Sequence, residues 1–355
     1  MRYLLAGGGT AGHVNPLLAT ADRLRVRDAD AEVLVLGTAE GLEARLVPQR
    51  GYELVTIPRL PFPRRPSAAA LRFPGRWWGA VRQIEKLITD RRIDVVVGFG
   101  GYAAAPAYLA ARRTKTPLVL HEANAKPGLA SRLGSRLTKH VGVAFRGTPL
   151  PHAVFVGMPL RVEIEKLDRV AARAGARARF GLDDRPVLLV TGGSTGARTI
   201  NRTMLAAAQG VLDRGYQVLH IQGGAHEFTD PGLPGYHLVD YVDDMDQALA
   251  AADAVVSRAG SGMVSELTTL GLPAVYVPYP VGNGEQRFNV ADVVSSGGGI
   301  TVEDSAFTPQ WVKTNLLPLL RDETRLLEMA AAAASVGVTD GADRLVTLII
   351  QARGA

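Results

Sequence analysis

The feature that most constrains the fold occurs twice: a short apolar run that breaks into glycines and then into a helical pattern. Near the start, Tyr3-Leu4-Leu5-Ala6 runs into Gly7-Gly8-Gly9-Thr10-Ala11-Gly12-His13, followed by Leu17, Leu18, Ala21 and Leu24 at the spacing of a buried helix face. In the second half, Val187-Leu188-Leu189-Val190 runs into Gly192-Gly193-Ser194-Thr195-Gly196, followed by Ile200, Met204, Ala207 and Leu212. Other strand-like runs are Val33–Leu36, Val95–Val97, Leu118–Leu120, Val218–Ile221, Ala254–Val256 and Ala274–Val277. Continuous apolar runs alternating with helical patterns predict parallel strands covered on both faces.

Two such beginnings predict an α/β protein of two Rossmann-like domains, which 355 residues accommodate. The predicted boundaries are 1–157 and 158–340, joined at Gly157-Met158-Pro159, with a terminal helix at about 341–355 returning to the first domain. Ligands of such sheets bind beyond the carboxyl ends of the strands. All the glycine loops lie there, so the expected active site is a cleft between the domains. The chain has no cysteine, which excludes disulfides and thiolate metal sites and suits a reducing compartment. No stretch reads as a signal peptide or as the ~20 apolar residues of a spanning helix, so a soluble or peripheral protein is expected. The net charge of +6 suits nucleic acid, anionic lipid or phosphorylated substrates.

Gly7-x-Gly9-x-x-Gly12 meets the dinucleotide fingerprint, with Glu40 as a ribose acid, but a second glycine loop heads the other half and His13 opens the helix. In either reading, glycines let backbone N–H groups approach an anion at a helix N-terminus. The second loop lacks the Lys-Ser/Thr ending of a nucleoside-triphosphatase loop, and by itself also fits a tight turn without a ligand. Ser257-Arg258-Ala259-Gly260-Ser261-Gly262-Met263-Val264-Ser265-Glu266 follows a strand and opens a helix; Glu266 either accepts hydrogen bonds from ribose hydroxyls or complements the helix dipole. Asp243-Asp244-Met245-Asp246 precedes an alanine-rich helix and is expected to cap it, so no metal site and no cofactor are assigned. Arg161 is the candidate cation for a leaving diphosphate.

Basic and apolar residues crowd 59–82. Phe62, Arg64, Arg65, Leu71, Arg72, Phe73, Arg76, Trp77 and Trp78 hold two of the three tryptophans, and the span has no acid. This is the pattern of a patch on an anionic membrane surface, the alternative being a solvated loop whose aromatics belong to the core. No nucleic-acid module accompanies it, so no nucleic-acid partner is expected.

The ordered set Gly8–His13, Gly98–Tyr102, His121-Glu122-Ala123-Asn124, Gly157–Arg161, Gly192–Arg198 and Ser265-Glu266 resembles the MurG family from about residue 3 to the end of the chain. Members transfer N-acetylglucosamine from UDP-GlcNAc to lipid I, giving lipid II in peptidoglycan synthesis. The resemblance implies a GT-B fold and metal-independent transfer with inversion. It places Glu266 on the ribose, and Ser194 and Arg161 at the diphosphate. Val242 and Ser261, Gly262, Met263, Val264 and Ser265 line the uracil and phosphate pocket, and Gln286 meets the sugar. Thr10, Ala11, Gly12 and Asn124 reach the donor from the first domain. The acceptor pyrophosphate meets Gly9, Gly100, Gly101 and Tyr102. His13 is the base candidate, because an imidazole accepts a proton near neutrality; orienting the loop or binding a phosphate is its other reading. The implied location is the cytoplasmic face of the bacterial membrane, with other cell-wall enzymes as partners. Three departures stand out: Ala11 for glycine, alanine in 103–105 where serine is common, and Thr195 for glutamine. The rival expectations are another glycolipid acceptor, or a non-catalytic subunit that binds nucleotide sugar.

Overall fold

The computed structural model describes residues 1–63, 68–224 and 228–354. The chain divides into two units, Met1–Arg161 with the tail from Asp340, and Val162–Thr339.

In chain order, unit 1 comprises β1 (Arg2–Ala6), α1 (Ala11–Arg27), β2 (Glu32–Gly37), α2 (Glu43–Gln49), β3 (Glu53–Thr56), α3 (Ala68–Asp90), β4 (Val95–Gly98), α4 (Ala104–Thr114), β5 (Leu118–Glu122), α5 (Leu129–Gly134), β6 (His140–Val143) and β7 (Ala153–Phe155). Its seven strands lie in the order β3-β2-β1-β4-β5-β6-β7, every pair parallel. Side chains alternate across β1, so Leu4 and Ala6 enter the core beneath α3 and α4, while Tyr3 and Leu5 enter the opposite core with Leu17 and Leu24 of α1. Burial of both faces explains why the strands read as uninterrupted apolar runs.

Unit 2 continues with α6 (Val162–Glu165), α7 (Arg169–Arg179), β8 (Val187–Thr191), α8 (Arg198–Ala206), α9 (Ala208–Leu212), β9 (Gln217–Ile221), β10 (Tyr236–Val239), α10 (Met245–Ala251), β11 (Ala254–Ser257), α11 (Ser261–Thr269), β12 (Ala274–Tyr276), α12 (Glu285–Asn289), α13 (Ala291–Ser295) and β13 (Gly299–Thr301). It closes with α14 (Pro309–Trp311), a π-helical turn (Val312–Leu316), α15 (Leu317–Leu319) and α16 (Glu323–Val336). Its six parallel strands lie in the order β10-β9-β8-β11-β12-β13.

The last helix, α17 (Gly341–Arg353), belongs to unit 1. Leu345, Leu348, Ile349 and Ala352 recur at helical spacing and join the core of Tyr3, Leu5 and Val97. Each fully buried Leu or Ile contributes on the order of 1.5–3 kcal/mol, so the tail is an integral part of that unit.

In each sheet the strand order reverses at one place, between β1 and β4 in unit 1 and between β8 and β11 in unit 2. Crossovers leave such a point toward opposite faces, and the loops there part to form a crevice. The four loops leaving these strands are those the sequence marks with glycine.

Candidate active site

In unit 1 the loops after β1 and β4 are in contact. A Cβ on Gly101 would overlap the carbonyl of Gly8, and one on Gly100 would lie 3.0 Å from both Cδ2 and Nε2 of His13. Gly100 also has φ +90, a conformation that suits glycine. His13 stands in the first turn of α1, half-buried. Its Nδ1 lies 3.3 Å from the Gly8 carbonyl and 3.4 Å from Thr10 Oγ1. Thr10 holds the N-cap position of α1, but its side chain makes no capping bond. Ala11 and Gly12 form the first turn, half-buried beside His13. Tyr102 meets Arg59, whose guanidinium lies 4.7 Å from the ring centroid and 3.3 Å from the hydroxyl.

Beneath the first loop lies a carboxylate that the sequence reading misses. Glu43, the first residue of α2, is 0% exposed. Its Oε2 accepts the Gly9 N–H at 2.7 Å, and its Oε1 accepts the N–H and hydroxyl of Thr38 at 2.9 and 2.8 Å. An added Cβ at Gly8, Gly37 or Gly41 would run into the Glu43 side chain. Two expectations change accordingly. Glu40, weighed as the acid beyond the second strand, is exposed, and Glu43 occupies the buried position. The Gly9 amide is not open to an anion, because Glu43 already holds it; the first loop is braced on a negative charge. The available signal was the pair of glycines, Gly37 and Gly41, flanking a turn before an acid.

At the end of β5, His121 is fully buried with its Nε2 3.1 Å from the Gly157 carbonyl. Burial first, and the charge of His13 as a lesser cause, push its pKa down to about 4 against the pull of that hydrogen bond, so it is neutral. Glu122 accepts the Asn124 N–H at 2.8 Å and the Gly128 N–H at 3.1 Å, which fixes the turn presenting Asn124. The alanines at 103–105 are buried core residues.

In unit 2 the loop after β8 puts Ser194 and Thr195 at an exposed tip. Gly223, beyond β9, packs so closely on Gly196 that a Cβ there would overlap its backbone. The loop rests on a buried set: Asn201 donates to the Gln222 carbonyl at 2.9 Å and meets His220 Nε2 at 3.1 Å, while His220 Nδ1 meets the Tyr236 hydroxyl at 2.6 Å. Burial pushes the His220 pKa down to about 4.

Helices α8 and α11 both start beside the unit 2 crevice behind residues that cannot cap with a side chain, Ala197 and Gly260. Their first-turn N–H groups keep the partial positive charge of a helix start. Ser261 and Val264 are buried; Gly262, Met263 and Ser265 are half-buried, and Glu266 is 8% exposed in the second turn. Arg258, missed as a structural residue, donates to the Val277 carbonyl at 3.1 Å and to Asp304 at 2.5 Å, bracing three loops. Gln286 accepts the Tyr279 N–H at 2.9 Å through Oε1, and Asn289 on the same helix donates to the Ala259 carbonyl at 3.2 Å. These bonds bring α12 to the start of α11. Val242 is half-buried before α10, and Arg161 is half-buried where unit 1 ends. Asp244 holds the N-cap position of α10, but its side chain pairs with Arg179 and makes no capping bond, which corrects the expected cap. Among the described residues no group of three His, Asp or Glu is arranged to hold a metal ion.

The aromatic region is split. Phe62, Phe73 and Trp77 form a tilted cluster with centroids 5.4–5.7 Å apart, and Phe73 and Trp77 pack on the unit 1 core. Leu71 and Trp78 are 85% and 45% exposed, with Arg72 and Arg76 exposed beside them. The core reading therefore holds for Phe73 and Trp77 and fails for Leu71 and Trp78. Arg64 and Arg65 lie outside the described residues. Among the described residues, no helix is long and apolar enough to cross a membrane.

Residues 3–143 match the glycosyltransferase family 28 N-terminal domain, and residues 187–345 its C-terminal domain. A protein of Leifsonia xyli subsp. xyli, named UDP-N-acetylglucosamine--N-acetylmuramyl-(pentapeptide) pyrophosphoryl-undecaprenol N-acetylglucosamine transferase, is 68% identical over 98% of this chain and 97% of its own length. One of the same name in Streptomyces coelicolor is 49% identical over 100% of this chain and 99% of its own. The crystal structure of Acinetobacter baumannii MurG is similar with a TM-score of 0.79, at 27% identity and 99% coverage of each chain. The UDP-GlcNAc 2-epimerase of Neisseria meningitidis has a TM-score of 0.71 at 15% identity over 99% of this chain and 100% of that one, a likeness of fold alone.

Proposed function

The chain belongs to glycosyltransferase family 28 and, within it, to the MurG family; from that premise we propose that it carries N-acetylglucosamine from UDP-GlcNAc to lipid I, forming lipid II for peptidoglycan. The observation that carries the mechanism is His13, held from behind through Nδ1, with a Cβ-free glycine, Gly100, against Nε2. A hydroxyl of the muramyl sugar attacks the anomeric carbon of the donor in line. Its proton passes to His13 Nε2, the new C–O bond forms, and the bond to the UDP oxygen breaks on the opposite face, inverting the centre.

On the donor side, the amides of Ser261, Gly262 and Met263 at the start of α11, with Ser194 and Arg161, meet the diphosphate. Their positive potential takes up the charge of departing UDP without a divalent ion. Glu266 accepts from the ribose hydroxyls, Val242 lines the uracil, and Val264 and Ser265 close the pocket floor. Because Tyr279 holds Gln286 Oε1, the Gln286 Nε2 group donates to the sugar. Thr10, Ala11, Gly12 and Asn124 complete the donor contacts. On the acceptor side, Gly9 and Gly100 offer bare Cα surfaces, with Gly101 and Tyr102 beside them. The protein acts peripherally on the cytoplasmic membrane face, seated by Leu71, Trp78, Arg72 and Arg76, where other cell-wall enzymes are its neighbours.

The test is transfer of radiolabel from UDP-GlcNAc to lipid I by the purified chain, with and without EDTA. Labelled lipid II at equal rates is expected. Absence of transfer would refute the reaction, and silencing by EDTA would refute the ion-free account.

A further inference from the structure

Glu43 is assigned no substrate contact of its own; it lies buried directly behind Gly9 of the acceptor loop and is linked to the reacting group through a single peptide unit. The peptide linking Gly8 to Gly9 carries its carbonyl on Gly8 and its N–H on Gly9. The N–H donates to Glu43 Oε2 at 2.7 Å, and the carbonyl lies 3.3 Å from His13 Nδ1. A carbonyl only accepts, so this contact requires the proton on Nδ1 and leaves Nε2 bare. Thr10 Oγ1, 3.4 Å from the same nitrogen, can donate or accept and imposes no tautomer. Among the described residues Nε2 makes no hydrogen bond. The carboxylate itself is fully buried and held at its other oxygen by Thr38, which fixes its position as well as its direction.

We propose that Glu43 is a positioning residue for the transfer, acting on His13 through the Gly8–Gly9 peptide. A buried negative charge at the N–H end polarises the peptide and makes its carbonyl a stronger acceptor, as successive hydrogen bonds do in a low dielectric. That holds the Nδ1–H tautomer and aims Nε2 outward, the part an acid plays directly on an imidazole in hydrolytic triads. The proposal rests on His13 being the base.

The experiment compares wild type, Glu43→Gln, His13→Ala and the double variant in steady-state transfer. It adds 15N NMR of histidine-labelled wild type and Glu43→Gln, with the His13 signal assigned by its loss in His13→Ala. An unbiased tautomer mixture costs about twofold and a wrong tautomer roughly 10⁴-fold, so Glu43→Gln is expected to lower kcat about 10- to 100-fold with the KM for UDP-GlcNAc unchanged. The double variant should be no slower than His13→Ala, because residues acting as a unit are not additive. Wild-type His13 should show the Nδ1–H tautomer, and Glu43→Gln a loss of that bias. An Nε2–H tautomer in the wild type overturns the proposal even if Glu43→Gln fails to fold. Additive losses in the double variant, or an unchanged kcat in Glu43→Gln, overturn it as well. Full turnover by His13→Ala sinks the base reading instead, a separate result.

Discussion

Replacing Gly100 with alanine adds one methyl group at the place where His13 Nε2 is left bare. Two costs follow. The backbone at φ +90 strains any residue with a Cβ, roughly 1–3 kcal/mol. The new Cβ would also sit 3.0 Å from His13 Nε2 and Cδ2, closer than ordinary van der Waals contact, so the ring must shift by a few tenths of an ångström. Gly51 provides the control: it has φ +72 and open space where a Cβ would go. Both variants should lose stability through the backbone strain, Gly100→Ala at least as much as Gly51→Ala, lowering Tm by roughly 2–4 °C per kcal/mol for a unit of this size. Only Gly100→Ala should lose turnover, by about 10²-fold or more, the scale of losing a general base. Thermal melts and radiolabel transfer read the two effects separately, with UDP-GlcNAc affinity unchanged in both. If Gly100→Ala melts like Gly51→Ala but keeps its kcat, the proton does not leave through Nε2 at this face, and the mechanism is wrong.

Glu266→Ala should raise the Kd for UDP-GlcNAc at least 10-fold in calorimetry, because ribose hydroxyls lose a charged acceptor worth about 1.5–3 kcal/mol; equal weakening of lipid I binding would contradict the ribose role. Leu71→Ser with Trp78→Ser should reduce sedimentation with anionic vesicles at unchanged Tm, whereas Trp77→Ser should lower Tm because that ring packs on the core; unchanged sedimentation would remove the membrane role. Acid should weaken both units, since His121 and His220 stay neutral in the fold down to a pKa of about 4 while the unfolded imidazole protonates near 6.5. Here the unfolded chain binds the extra proton, so stability is full above pH 6.5 and falls as pH drops toward 4, by roughly 3 kcal/mol per histidine. Denaturation at pH 7 and 4.5 checks this, and a His121→Gln protein with the same pH slope as wild type would refute it.

Local order was legible in the chain because it is written in adjacent residues. Apolar runs such as Val187–Val190 must be parallel strands once both faces are buried, and the glycine clusters mark where those strands release the chain. The resemblance rested on the same local strings, and the relatives extend it over nearly the whole length. The helix of the tail was legible, since apolar residues repeat at helical spacing near Leu345–Ile350, but the sequence did not show which core covers them; the fold sets Leu345, Leu348 and Ile349 against Tyr3 and Leu5.

Contacts between distant segments were decided only by the tertiary structure. Gly37 and Gly41 mark a tight turn beside an acid, but they do not say that the Glu43 carboxylate, rather than that of Glu40, reaches back under Gly9. Arg258 and Asp304 are ordinary charged residues until three strands bring their loops together. Adjacent Trp77 and Trp78 part because a helix turns successive side chains by about 100°, one toward the core and one toward solvent. A pattern of apolarity and glycine specifies which segments are strands and turns, since those depend on neighbours a few residues away. The pairing of a buried charge with one particular amide depends on where the folded strands set both, and that is a property of the assembled sheet.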